Sequence, residues 1–599
     1  MKKIFLLLLA FMAVWAAEAK VIKLTLADGS VKVYTSSELS AIDFNDDGTL
    51  TLTTYDGVEL PALDAVYEEL TIGDEPTVCA IFPDTLSFTI DVDGLPVKIP
   101  SVRPIMKVNY VYPTTDPYGA PITMSGTILL PEEIWEGSVK SEGTLMVNHY
   151  TKFHRNEAPT ISNGSLENML LANPLNPNYI IVESDFYGFG ATVRFPQAFL
   201  QGLYNARTSL DGLLAARRLL EEMGIDYGPL CFNIGYSSGG YDTLAAQKLR
   251  DQEYADRISF DKTFAGGSPS DVRECYRQYV LIDSTAYNAV PLLLVVTTNE
   301  IQQLGLDYND VFQPYISNRI GELILSKAYS SWPVCDSIGR EKKIHEILAP
   351  AYCDLQSEEA MTIQDILGGF SLTNDDWTPD QSQRIYLFHS RGDDYVPLKG
   401  ARPMVAFLKS KGMEPSIIPG KTNLQTNFVV RSMGHLSATL VYFLQTLAAI
   451  KAWPLMYTDN QLNPAYAAIV STDIDPVATM RQLDAMGFDC RSVLNNALGI
   501  ISRLQQEGEG TGLPLQDLVQ QALQLSGFTV EELSEMTADS GIDILALFTS
   551  LMEYLNEGTD TDADTDATPE ARLAKMLSRQ PMTPVQQYEQ QLRDWLNLE

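Results

Sequence analysis

Cysteine is sparse in this chain, with six in 599 residues. That number excludes a disulfide-dense scaffold for a protein of this length. Cys335 and Cys353 are the two closest in sequence, and Cys231 falls in an apolar run that reads as core. Histidine is scarcer still, with five: His149, His154, His345, His389 and His435. Their spacings with cysteine match no transition-metal motif, so neither a metal nor another cofactor is expected. Basic residues are outnumbered, 42 against 77 acidic, for a formal net charge of −35. Such a surface repels phosphate, which excludes nucleic acid and disfavours anionic lipid headgroups as partners. Long apolar runs are also missing beyond the first residues, so no transmembrane anchor is expected.

What is present is an ordinary globular inventory, 45% hydrophobic and 9% aromatic, long enough for roughly two to four domains. The opening MKKIFLLLLAFMAVWAAEAK combines two lysines, an apolar run from Ile4 to Trp15 and the small-x-small site Ala17-Glu18-Ala19. It predicts a signal peptide over residues 1–19 and an exported protein, and the lack of a cysteine just after the run argues against a lipid anchor. Residues 20–75 alternate apolar and polar positions between Asp28-Gly29, Asp47-Gly48 and Asp56-Gly57, the pattern of small antiparallel hairpins. Residues 76–455 change rhythm. Strand-like runs (TLMVNH, YIIVESD, LCFNIGY, IYLFHS) alternate with helical patterns such as NARTSLDGLLAARRLLEEMG. This predicts an α/β domain around a mostly parallel sheet buried on both faces. The irregular, helix-rich stretch of about 268–380 reads as a cap inserted between two strands. Residues 456–599 return to helical periodicity, broken by an acidic linker at 558–568. Its alternating aspartates lack the glycine and closing glutamate of a calcium loop.

Chemistry concentrates at Gly235-Tyr236-Ser237-Ser238-Gly239, a G-x-S-x-G that chance alone would produce in roughly one such chain in six, so its setting decides. A strand pattern precedes it and a helix pattern follows, the setting of a nucleophile elbow. Small residues two positions either side of the serine let strand and helix approach. A serine hydroxyl needs a base and an orienting acid. In this setting they follow in the order serine, acid, histidine. The loop after IYLFHS offers Asp393 and Asp394, and His435 alone among the histidines lies downstream of them.

With these pieces the chain resembles the α/β-hydrolase superfamily, in particular its secreted lipases and esterases, over about residues 100–450. VYPTTDPYGAPITMSGTILLP is similar to that family's opening hairpin, MVNHYT to its oxyanion strand and loop, and ESDFYGFGAT to the following Asp-x-x-Gly-x-Gly stretch. IGYSSGG matches the elbow, FHSRGDDYVP the acid loop and GHLSA the histidine loop. The resemblance implies a Ser237–His435–Asp393 triad, with Asp394 as the alternative acid. It also implies an oxyanion hole from the N–H of Ser238 and that of Tyr150 or Thr151. The family's oxyanion loop usually reads His-Gly where this chain has His149-Tyr150. The implied activity is hydrolysis of carboxylic esters by an acyl-enzyme route, on small-molecule or lipid esters. A serine peptidase on the same fold and an inert surface-binding protein are the rival readings. The apolar stretch 290–298 reads as a buried element or an acyl-pocket wall. His149 and His154 read as structural or substrate-contacting, and His389 as packing.

Overall fold

In the computed structural model the chain is described almost continuously from 104 to 452, apart from 173–177, 375, 416–421 and 430–432. Before that the description covers separate stretches between 21 and 101; after it, only 457–458, 461–462 and 481. Contact clustering separates residues 1–468 from residues 469–599, and nearly all of the latter lie outside the described residues. The expected C-terminal helices and acidic linker therefore fall there. Before it, Tyr457–Thr458 pairs antiparallel with Gln461–Leu462.

The Asp-Gly pairs fall between strands as expected. Val21–Leu26 pairs antiparallel with Val31–Thr35 and with Tyr67–Ile72. Leu50–Thr54 pairs antiparallel with Leu39–Phe44 and with Glu59–Leu60.

Nine strands build the main sheet: β1 Thr77–Phe82, β2 Ile105–Thr115, β3 Pro121–Pro131, β4 Gly143–Asn148, β5 Tyr179–Ser184, β6 Leu230–Tyr236, β7 Lys262–Gly266, β8 Ile385–Ser390 and β9 Leu424–Val429. Their spatial order is β9-β8-β7-β6-β4-β5-β3-β2-β1. Strands β4 to β9 run parallel, and β1 to β3 form an antiparallel flank. This is the α/β-hydrolase layout. The β2–β3 hairpin turns where Asp116 Oδ1 accepts the N–H groups of Tyr118 and Ala120, each at 2.8 Å.

Strand alternation sorts the layers. Met146, Ile180 and Val182 pack in one cluster with helices α1 (Leu203–Glu222) and α2 (Ser238–Leu249). Leu145, Val147 and Ile181 point the other way and pack with α7 (His435–Ile450). Both faces are covered, which is why these strands read as continuous apolar runs. Leu210, Leu213 and Leu220 of α1 are fully buried, each contributing about 2 kcal/mol. Gly224, with φ 73°, follows the helix end in a left-handed conformation open to glycine.

The 268–380 stretch is helical between β7 and β8, with α3 Val272–Ile282, α4 Ala289–Gln302 and α5 Glu358–Phe370 as its long members. The 290–298 stretch belongs to buried helix α4. The chain leaves β4 toward β5 on one side and meets β6 on the other, so β4 marks the switch in winding direction. Ligands of such sheets bind outside the carboxyl ends of the strands at that switch.

Candidate active site

β6 ends at that switch, and Ser237 is its first residue beyond the strand. Ser237 has φ 62° and ψ −127°, a conformation that costs a residue with a side chain on the order of 1–3 kcal/mol. Its neighbours explain how the turn closes. A Cβ on Gly235 would lie 2.3 Å from the carbonyl oxygen of Gly239, and one on Gly239 would lie 2.0 Å from that of Asn148. Only glycine lets strand, helix and the loop after β4 converge here. Ser237 N–H donates to Gly266 O at 2.8 Å, tying the turn to the end of β7. Ser238 begins α2, so its N–H is one of the donors a helix start leaves unpaired.

The acid loop after β8 separates two adjacent carboxyls by task. Asp393 Oδ2 lies 2.7 Å from His435 Nδ1, and Asp393 Oδ1 accepts the N–H groups of Tyr395 and Val396 at 3.0 and 2.7 Å. Burial pushes the Asp393 carboxyl up, but the charges and hydrogen bonds of His435 outweigh it and hold the group below the ordinary carboxylate range. Asp394 instead accepts the backbone N–H of His435 at 2.8 Å, capping α7. A carboxylate at Nδ1 requires that nitrogen to donate, leaving Nε2 as the acceptor. A Cβ on Gly267 would lie 3.0 Å from His435 Cε1. The imidazole thus borders the same Gly266-Gly267 turn that receives Ser237 N–H. No hydrogen bond joins Ser237 Oγ to His435 among the described residues.

The loop after β4 reaches the same cleft differently. Tyr150 N–H donates inward to Glu167 Oε2 at 3.3 Å, while Thr151 Oγ1 donates to Ser238 Oγ at 3.0 Å. Glu167 is fully buried, and burial, then the charge of Glu183, drives its carboxyl well above the usual range. Thr151 N–H has no intramolecular partner among the described residues. His149 is buried and stacks on Phe186 at 4.2 Å. Its Nδ1 faces Tyr150 O at 2.9 Å. Burial, reinforced by the Lys152 charge, lowers its pKa to about 3. His154 Nδ1 accepts Asn156 N–H, exposed His345 pairs with Asp283 at 2.7 Å, and His389 Nε2 donates to Val396 O at 3.1 Å.

The insertion roofs the cleft. Cys275 and Tyr279 of α3 and Val290 and Leu294 of α4 line it together with Thr151, Ser237 and Ser238. It also grips the acid loop: Tyr279 Oη donates to Tyr395 O at 2.9 Å and Ala286 N–H to Asp394 O at 3.3 Å. Cys335 and Cys353 are both free thiols. Cys335 is buried in its helix, and Cys353 Sγ faces the carbonyls of Ile344 and Leu348.

Residues 154–440, just under half the chain, match the model of the family described as secretory lipase. Over those residues the chain is similar to the secretory lipases. The match runs from the loop after β4 through the serine turn, the insertion and the acid loop into α7, and the domain is a carboxylic ester hydrolase. Among solved structures the chain is similar to a Legionella pneumophila protein described as a hydrolase, at TM-score 0.50 and 19% identity over 58% of this chain and 89% of that one. At that identity the likeness speaks for the fold alone. It is also similar to the rice cell wall degrading esterase LipA from Xanthomonas oryzae, at TM-score 0.48 and 18% identity over 62% of this chain and 96% of that one. Candida antarctica lipase A follows at TM-score 0.44 and 15% identity, over 67% of this chain and 91% of that one. No curated protein matches the chain in sequence. Among the described residues no helix is long and apolar enough to cross a membrane, and no group of three or more His, Cys, Asp or Glu could hold a metal ion.

Sequence reasoning missed Glu167, whose setting in the short helix Leu166–Leu171 carries no signal of a loop-holding role. It also missed the two tyrosines against His435, Tyr236 and Tyr395.

Proposed function

We propose that this ester hydrolase cleaves neutral, largely apolar esters through Ser237, His435 and Asp393. The supporting observation is the buried Asp393–His435 contact at 2.7 Å beside the strained turn that carries Ser237. His435 Nε2 takes the proton of Ser237 Oγ as that oxygen bonds the ester carbonyl carbon, and the carbonyl electron pair moves onto its oxygen. The N–H groups of Ser238 and Thr151 bind that oxyanion; Tyr150, whose N–H is held by Glu167, does not. Collapse expels the alcohol with the proton from Nε2, and a water activated by the same nitrogen releases the acid. The apolar roof suits an acyl chain, and the acidic surface suits an uncharged substrate.

Residues 1–19 act as the export signal, and the chain divides into the β-rich module 20–75, the hydrolase domain 76–455 and the region 456–599. A mature N-terminus at Lys20 in the exported protein checks the first point. The function itself is tested by fluorophosphonate labelling beside turnover of p-nitrophenyl esters and peptidyl nitroanilides. Labelling and ester turnover that vanish together in Ser237→Ala are expected. Labelling that persists in that variant overturns the assignment, and amide turnover exceeding ester turnover overturns the substrate class.

A further inference from the structure

The His435 imidazole lies against two aromatic rings. Tyr236, the residue before the serine, places its ring centroid 4.8 Å away and donates its hydroxyl to His435 O at 2.9 Å. Tyr395, two residues after Asp393, stacks at 5.0 Å and 23°. Tyr395 is in turn stacked on Tyr287 of the insertion at 4.8 Å and 20°, and Trp332 meets both rings. Tyr395 also lines the serine cleft. An aromatic face attracts a cation electrostatically, beyond the stacking it also offers a neutral ring. The imidazole is cationic only while it holds the serine proton. A stacked ring therefore favours the state that catalysis needs more than the resting one.

We propose that Tyr395 is a positioning residue for ester hydrolysis: with Tyr236 it orients the His435 ring and favours its protonated form as Ser237 gives up its proton. This rests on His435 being the base. The titratable and charged groups around the ring are Asp393 at Nδ1, Asp394 at its backbone N–H, His389 across Asp393 at 3.7 Å, and the two tyrosines. The carboxylates favour the cation and His389 opposes it when charged; burial, the leading cause, lowers the His389 pKa and so disfavours its charged form. The aromatic contribution thus adds to that of the carboxylates.

The test compares full-length wild type with Tyr395→Phe and Tyr395→Leu. Two readouts are needed: the pH profile of kcat/KM on a p-nitrophenyl ester, and the NMR titration of His435, identified by its loss in His435→Gln. Tyr395→Leu is expected to move both the His435 midpoint and the acid limb of the profile down by about half to one pH unit, with kcat falling and KM little changed. Tyr395→Phe, which keeps the π face, is expected to retain the wild-type limb. Should the leucine variant fail to fold, Tyr395→Met, of similar bulk without a π face, carries the same expectation. An unmoved His435 midpoint in the leucine or methionine variant overturns the proposal. A midpoint that moves while the acid limb stays is a different failure, because it removes His435 as the base.

Discussion

Two turns, one after β6 and one after β4, deliver backbone N–H groups to the same cleft by opposite means. The serine turn succeeds by subtraction: Gly235 and Gly239 carry no side chains, so strand, helix and neighbouring loop come within contact distance. The loop at 149–151 succeeds by addition. Where a glycine would be conformationally free, Tyr150 is held by a buried carboxyl that takes its N–H inward. The next residue along, Thr151, has its N–H left unpaired and its hydroxyl tied to Ser238. One turn is defined by what it omits and is visible in the sequence. The other depends on a residue of a different element, Glu167, and is not.

The largest expected effect concerns the acid loop after β8, which holds His435, the proposed base. Asp393→Asn should lower kcat about 10⁴-fold, through the wrong imidazole tautomer. Asp394→Asn, which alters a helix cap, should cost about tenfold or less; steady-state ester kinetics on both variants check the ranking. Next is Gly239→Ala. Its methyl would meet the Asn148 carbonyl at 2.0 Å, forcing the two turns apart, and a loss of about 10²–10³ in kcat is expected from the displaced oxyanion donors. Glu167→Leu should cost about 10²-fold in kcat by releasing Tyr150, while Glu167→Gln, which still presents an acceptor, recovers most of it. Equal losses in the leucine and glutamine variants would end the contrast between the two turns.

The smallest effect is on stability. His149 is buried with its pKa lowered to about 3, so the unfolded chain binds a proton there that the folded one refuses. Its contribution is complete above pH ~6.5 and is lost as pH falls from there toward about 3. His149→Gln should flatten the fall in melting temperature across that window, measured against wild type. The Asp393 contribution has the same sign, because its folded pKa is also lowered, but it is lost only below pH ~4.

Much of the frame was legible because parallel strands buried on both faces must be continuously apolar. β4, β5, β6 and β8 stand out for that reason. β7 and β9 do not, since KTFAG and LQTNFV carry too few apolar residues to announce themselves. Serine, histidine and the adjacent acids were legible through order and scarcity. Choosing between Asp393 and Asp394 needed the resemblance, and geometry places Asp393 at Nδ1. The pairing of Tyr150 with Glu167 was illegible because no local pattern marks a contact between separate elements. The nearness of Cys335 and Cys353 in sequence likewise carries no information about their separation in space.

The hydrogen bonds from Tyr279 and Ala286 into the acid loop have an engineering consequence. Anyone exchanging the 268–380 segment between related enzymes to admit a different substrate would also be swapping part of the mount on which His435, the proposed general base, sits. Selectivity and working acidity would then shift together, and a transplanted roof would need its own partner for the Tyr395 carbonyl before either could be tuned alone.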